Sequence, residues 1–330
     1  MAGSREIHLV RRPQGMPTLA DFAVVEGSVP ATGEGEVRVQ ALIMSVDPYM
    51  RPRLNADQAL NAPMLGGGIG RVVESRNPNF AEGQLVKHFS GFSETFVSNG
   101  QGLMPLVRDP ALPLSVYMHA LGGTGITAYG GLLETGKLKD GEQVFVSTAG
   151  GAVGSVVAQI AKIKGCRAVG IAGGPDKCRW VVEELGFDAC IDYKRGSVRD
   201  GLKQHCPDGV DIYFDNVGGE ILDTVLTRIN RKARIVICGA ISQYNNTTPV
   251  QGPKNYLSLL VNRARMEGMV VFDYADRFPQ AVAEMAGYLK DGRMKSKEDL
   301  VQGLDAFPDA LGKLFSGENF GKLVLQVASA

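Results

Sequence analysis

A net charge is missing from this chain: its 330 residues carry 35 Lys and Arg against 35 Asp and Glu. With no overall field, nucleic acid and anionic membrane surfaces are not expected partners, and a small molecule is. No run of about 18 apolar residues occurs, which excludes an apolar membrane-spanning helix. Residues 1–12 carry charge but no apolar core and no small-residue cleavage site, so no secretory leader is read there. The expectation is a soluble, cytoplasmic protein. Cysteine is sparse and odd in number (Cys166, Cys178, Cys190, Cys206, Cys238), with no C-x-x-C spacing, which disfavours a disulfide framework and a structural zinc and predicts reduced thiols. The four histidines, His8, His88, His119 and His205, are scattered without metal-ligand spacing and are expected at the surface or hydrogen-bonded. There is no internal repeat.

Glycine, by contrast, is abundant at 42 residues and falls at turns and strand ends. Residues 143–174 read as strand, glycine turn, helix and strand. Val144 to Ser147 is a β-branched and aromatic run, and Ala149-Gly150-Gly151-Ala152-Val153-Gly154 gives A-x-G-x-x-G. Val153, Val156, Val157, Ile160 and Ile163 then recur at helical spacing until Gly165, and Arg167 to Ile171 form a second strand. A glycine triplet that leaves a strand and opens a helix within a unit of about 30 residues predicts a dinucleotide cradle. Glycines let backbone amides approach a pyrophosphate, and the helix N-terminus favours the anion. Ala149, Gly151, Ala152, Val153 and Gly154 are therefore candidate cofactor contacts.

Residues 1–118 read as short strands broken by glycine and proline (Glu36 to Val46, Ile69 to Glu74, Gln84 to Phe89, Phe92 to Val97), the pattern of a small barrel or sandwich. From about 119 strands and helices alternate: helix Asp176 to Leu185, strands Ala189 to Tyr193 and Asp211 to Asp215, a helix from Gly219, and strands Arg234 to Cys238 and Met269 to Phe272. That rhythm predicts an α/β fold with a doubly wound parallel sheet of Rossmann type. The alternating Lys322 to Val327 fits the first part better. Residues 1–118 with 297–330 are thus expected to form one domain, and 119–296 a cofactor domain inserted in it.

An NAD site would place an acid at the end of the second strand. Here the strand runs into Ala172-Gly173-Gly174, followed by Lys177 and Arg179, with Tyr193 and Lys194 ending the next strand. A cationic rim without a carboxylate predicts a 2′-phosphate, hence NADPH, with Gly173, Lys177 and Tyr193 as contacts. Asp176 is the counter-signal, readable as a ribose acid or as a helix N-cap.

VDPYMR (46–51), GGGIGRVVESRNPNF (66–80), STAGGAVGSVVAQIAKIKGCRAVGIAGGPDKC (147–178), ELGFDACIDYK (184–194), CPDGVDIYFDNVGGEILD (206–223), ARIVICGAISQYN (233–245) and ENFGKLV (318–324) span nearly the whole chain. Together they resemble the zinc-free medium-chain dehydrogenase/reductases that reduce activated double bonds: prostaglandin reductases, curcumin reductase and plant alkenal double-bond reductases. The resemblance implies a barrel-like (GroES-like) catalytic domain beside the Rossmann domain, and a homodimer. Where zinc-dependent relatives hold a cysteine and a His-Glu pair, this chain reads Val46-Asp47-Pro48-Tyr49 and Gly66-Gly67-Gly68-Ile69-Gly70, so no metal ligand is expected. Without a Lewis acid for a carbonyl, the chemistry leans to hydride addition at the β-carbon of an enone.

Tyr244, following the strand at 234–238, is the candidate to hydrogen-bond substrate or donate a proton; a packing tyrosine is the other reading. Tyr49 is a second candidate, or else a turn-anchoring aromatic after Pro48. The resemblance also implies cofactor contacts at Asn216, Cys238, Gly239, Ala240, Phe272 and Asn319. Relatives commonly have Met-Pro where this chain has Gly123-Thr124, tryptophan at Phe92 and tyrosine at Phe96, positions expected to border the substrate cleft. The expected function is NADPH-dependent reduction of the C=C bond of α,β-unsaturated ketones or aldehydes, the alternatives being an NADPH quinone oxidoreductase and a non-catalytic NADPH-binding protein.

Overall fold

The computed structural model describes residues 2–329. The chain begins with β1 (Ala2–Leu9), β2 (Phe22–Val29), β3 (Val37–Ser45), α1 (Met50–Asn55), β4 (Gly68–Ser75), β5 (Leu85–His88), β6 (Thr95–Ser98) and β7 (Met104–Pro105). It continues with α2 (Gly123–Gly130), β8 (Gln143–Ser147), α3 (Gly154–Ile163), β9 (Arg167–Ala172), α4 (Pro175–Glu183), β10 (Ala189–Asp192), α5 (Val198–His205), β11 (Val210–Asp215), α6 (Gly219–Leu226), β12 (Ile229–Ile237), α7 (Leu257–Asn262), β13 (Arg265–Gly268) and α8 (Phe278–Lys290). It ends with β14 (Glu298–Gln302), α9 (Phe307–Ser316) and β15 (Lys322–Gln326). Two compact units result: residues 1–118, 298–319 and 323–330 in the first, and 119–297 with 320–322 in the second.

In the first unit a seven-stranded sheet runs β14-β15-β3-β4-β5-β7, with β6 also on β3, and β1 and β2 form an antiparallel ribbon. From Ala23 to Ser28 of β2, half-buried and exposed residues alternate, as expected of a ribbon with one wet side. Phe92 is wholly enclosed, its ring 4.5 Å from that of Phe307, which meets Phe22 edge-on at 5.4 Å. Burying each such ring contributes about 1.5–3 kcal/mol.

The second unit is an all-parallel six-stranded sheet in the order β10-β9-β8-β11-β12-β13. Numbered within the unit, this is 3-2-1-4-5-6, the doubly wound Rossmann order. Helices cover both faces, so β8 and β11 are apolar almost throughout. The order reverses between β8 and β11, the switch point at which open α/β sheets bind ligands beyond the strands' carboxyl ends.

Three local expectations fail. The late strand is β13 at 265–268; residues 271–277 are a 3₁₀ turn instead, because the Asp273 carboxylate accepts the Val270 N–H at 3.0 Å and bends the chain. The strand expected from Phe92 begins only at Thr95, since Phe92 is committed to the core. That burial also removes Phe92 as a cleft-bordering residue, whereas Phe96 is half-buried against the His88 ring. His88 is buried and, as expected, hydrogen-bonded, though through one ring nitrogen only. Its Nδ1 accepts from Ser90 at 3.4 Å, while Nε2 is buried without a partner.

Burial pushes the His88 imidazole down from 6.5 to about 4. An unfolded imidazole takes up its proton below about 6.5 and this folded one only below about 4, so the unfolded state binds more protons between those limits and stability falls as pH falls through them. His88→Leu should remove up to about 3 kcal/mol of that acid-side loss. Melting temperatures of both proteins from pH 7 to pH 4 test this; parallel curves would show that the imidazole is not the titrating group.

Candidate cofactor site

The glycine turn after β8 is shaped by close approach. A Cβ on Gly151 would stand 2.7 Å from Thr148 Cγ2, one on Gly154 2.3 Å from the Thr148 carbonyl, and one on Gly150 2.7 Å from the Lys177 stem. Thr148 holds φ at +56°, unusual for a β-branched residue, and its buried Oγ1 has no partner. Ala149 is buried, and Ala152 and Val153 lead into α3 at Gly154, where the Ser155 amide donates to the Gly151 carbonyl at 3.1 Å and the Val156 and Val157 amides to that of Val153 at 3.1 and 3.0 Å. A strained turn, an orphaned hydroxyl and a helix N-terminus where side chains are excluded fit a pyrophosphate. His119, hydrogen-bonded as expected, supports the turn: its buried ring donates from Nε2 to the Ala152 carbonyl at 2.9 Å and accepts at Nδ1 from Ser296 at 2.8 Å.

At the end of β9, a Cβ on Gly173 would lie 2.8 Å from the Tyr193 hydroxyl and 2.9 Å from Lys194 Cε. Lys177, in the first turn of α4, is buried with its stem across Gly150. Gly173 thus lies against Tyr193 and Lys194, and Lys177 against Gly150 of the glycine turn. Asp176 is neither cap nor inward-facing acid: Gly174 caps α4, and Asp176 sits one residue past Pro175, 80% exposed and paired with Arg179 at 2.8 Å. The acid that matters locally is Asp192, unforeseen in sequence, whose Oδ1 accepts the amides of Gly174 at 2.8 Å and Lys194 at 3.0 Å.

Across the switch point, β8 and β11 are clasped. Ser147 Oγ accepts the Asn216 amide at 2.8 Å, and Asn216 Nδ2 donates to the Ser147 carbonyl at 2.8 Å. Beneath them the buried Asp215 accepts from the Tyr213 hydroxyl at 2.7 Å and from the amides of Val217 and Gly218, both at 2.9 Å. Burial pushes this carboxyl up, and those donors oppose the shift. The Asp215 carbonyl accepts from Cys238 at 2.8 Å and Gly239 at 3.1 Å, which draws the end of β12 alongside. Desolvation, then the Asp215 charge, push the Cys238 thiol up to about 12, so it stays protonated.

Tyr244 follows a short 3₁₀ turn, and its hydroxyl accepts the Ala240 amide at 3.1 Å, over Gly239. Asn216, Cys238, Gly239, Ala240 and Tyr244 are thus brought together on the β11 and β12 side. Phe272 lies on the later 3₁₀ turn, 70% exposed. Tyr49 and Asn319 belong to the first unit. Tyr49 is half-exposed at the start of α1, its hydroxyl pushed up to about 12 by desolvation first and Asp47 second, so it remains protonated. Asn319 is buried. Among the described residues no group of three or more His, Cys, Asp or Glu is placed to hold a metal ion.

A parallel sheet in this order with a glycine turn at its switch point defines a nicotinamide-dinucleotide oxidoreductase fold. Residues 5–106 match the profile described as the N-terminal domain of oxidoreductase, and 152–287 the one described as zinc-binding dehydrogenase. A putative NADP-dependent oxidoreductase of Bacillus subtilis is 42% identical over 99% of this chain and 98% of its own. The NADPH-dependent curcumin reductase of Escherichia coli is 39% identical over 97% and 96%. The crystal structure of CurA from Vibrio vulnificus in complex with NADPH superposes with a TM-score of 0.92 at 39% identity, covering 99% of this chain and 100% of that one. The chain belongs to the medium-chain dehydrogenase/reductase family, in the group that includes the curcumin, prostaglandin and alkenal reductases.

Removing the Ser147 hydroxyl takes away the acceptor of the Asn216 amide, which costs about 1–3 kcal/mol when no other partner replaces it. Ser147→Ala should therefore lower the melting temperature of the cofactor-free protein by roughly 3–8 °C. An unchanged melt would mean the clasp adds nothing to stability.

Proposed function

We propose that this protein is an NADPH-dependent reductase of the C=C bond of α,β-unsaturated ketones and aldehydes, with the second unit binding the cofactor and the first, GroES-like unit contributing to the substrate site. One observation carries the reading: the full-length match to CurA, solved with NADPH, in a chain whose own Gly173 lies against Tyr193 and Lys194 and whose Gly150 lies against Lys177. Likeness to solved quinone oxidoreductases, at 18–21% identity, speaks for the fold alone.

NADPH supplies the hydride when bound; the glycine turn, Lys177, Tyr193, Asn216 and Asn319 are the residues that would hold it. As the substrate's β-carbon gains hydride, the double-bond electrons move to the carbonyl oxygen, and a proton must then reach the α-carbon. The Tyr244 hydroxyl already accepts the Ala240 amide, which strengthens it as a donor towards an enolate oxygen. Tyr49, held protonated, can donate but cannot serve as a base near neutral pH.

We also propose a homodimer. The edge strand β13 is exposed along its length, and the neighbouring α7 presents Leu257, Leu260 and Val261 to solvent, followed by Val270 and Phe272. An unpaired strand edge beside exposed apolar side chains is a surface that pairing with a second copy would cover. Leu260→Glu should shift the particle to monomer mass in light scattering, and a wild-type monomer would end the idea.

The functional test is NADPH oxidation against a panel of enals, enones, quinones and alcohols, in wild type and Tyr244→Phe. Enones and enals should react; turnover of quinones only would refute the reading. Tyr244→Phe keeps the ring and removes one donor to a developing oxyanion, so kcat should drop roughly ten- to a hundredfold while NADPH affinity and melting temperature stay near wild type. Wild-type turnover in that variant would reduce Tyr244 to a wall of the cleft.

A further inference from the structure

The carboxyl-terminal segment joins the second unit through Phe320, Gly321 and Lys322. Gly321 donates its amide to the Gly150 carbonyl at 2.8 Å, so the segment is bonded directly to the glycine turn. No other residue fits there: φ is +68°, and a Cβ would stand 1.9 Å from the Lys297 carbonyl. This fixes the direction in which Phe320 leaves the backbone. Its ring lies 5.0 Å below Lys177 Nζ and is met edge-on by Trp180, with centroids 5.8 Å apart and planes at 68°. Lys177 is only 9% exposed, an unusual degree of burial for an ammonium, and its stem is confined across Gly150.

We infer that Phe320, braced by Trp180, is a positioning and specificity-determining residue: the negative face of its ring holds the Lys177 ammonium where a phosphate on the adenosine ribose meets it. A lysine is a flexible stem with three donors, and much of its affinity for a phosphate is lost in ordering that stem. A ring beneath the ammonium holds it in place in advance of the anion. Selection for the 2′-phosphorylated cofactor is thereby set partly by an aromatic side chain more than a hundred residues away from the lysine. The inference rests on the NADPH reading above.

Calorimetric titration with adenosine 2′,5′-bisphosphate and adenosine 5′-monophosphate tests it, because these probes differ in the 2′-phosphate and lack the nicotinamide. Wild type should prefer the bisphosphate, and Lys177→Ala should abolish the preference. Phe320→Leu, which keeps apolar bulk without a π face, should weaken the bisphosphate about three- to thirtyfold and leave the monophosphate within about twofold. Phe320→Tyr should restore wild-type behaviour. Equal weakening of both probes by Phe320→Leu, no weakening, or tighter bisphosphate binding would overturn the role assigned to Phe320. Equal affinity of wild type for the two probes would instead overturn the NADPH reading beneath it. Phe320→Tyr, with its conserved shape, keeps the comparison available if the leucine variant folds poorly.

Discussion

The hydrogen bonds that join Ser147 at the end of β8 to Asn216 and Asp215 at the end of β11 are the constraint on which the cofactor side depends. At this point the crossovers leave in opposite directions, so no continuing strand ladder ties the two loops together. Side chains must do it. Because Asp215 also takes the amides of Val217 and Gly218, and its carbonyl those of Cys238 and Gly239, the ends of three strands are fixed relative to one another. The position of Ala240, and through its amide the Tyr244 hydroxyl, follows from that framework. A carboxyl buried this deeply is costly to charge, and its donors, including the Tyr213 hydroxyl, offset part of that cost.

The adenosine side is organised differently. There the backbone of Gly173 and Gly174 is steered by Asp192, while the glycine turn is braced by His119 and by the amide of Gly321. Each of these three partners is a side chain or amide from another element. The turn can therefore stay open towards an anion without losing its shape, which is the meaning of preorganisation for phosphate binding.

In the first unit, Arg51 donates from its guanidinium to the Gly15 carbonyl at 2.7 Å and ties α1 to the segment between β1 and β2. Tyr49 opens that helix, so a buried arginine two residues on helps set where the tyrosine stands. The family profile covering 152–287 is described as zinc-binding dehydrogenase. In the first unit Gly67 and Gly68 are packed against Phe89, His88 and Met44.

By itself the sequence determined the parallel sheet, the glycine turn and the missing acid after β9, since each depends on residue identity or on periodicity within a short window. It also placed Gly173 beside Tyr193, because consecutive strands of such a sheet end side by side. Element edges were less legible where a local hydrogen bond overrode propensity, as Asp273 does at Val270, or where an edge strand is polar, as β13 is. Only the tertiary structure decided that His119 supports a carbonyl 33 residues away, that Ser147 receives an amide 69 residues on, and that Phe320 lies beneath Lys177. Such pairings join residues with no shared local pattern. They are fixed by the packing of whole elements, and a periodicity or a motif carries no record of them.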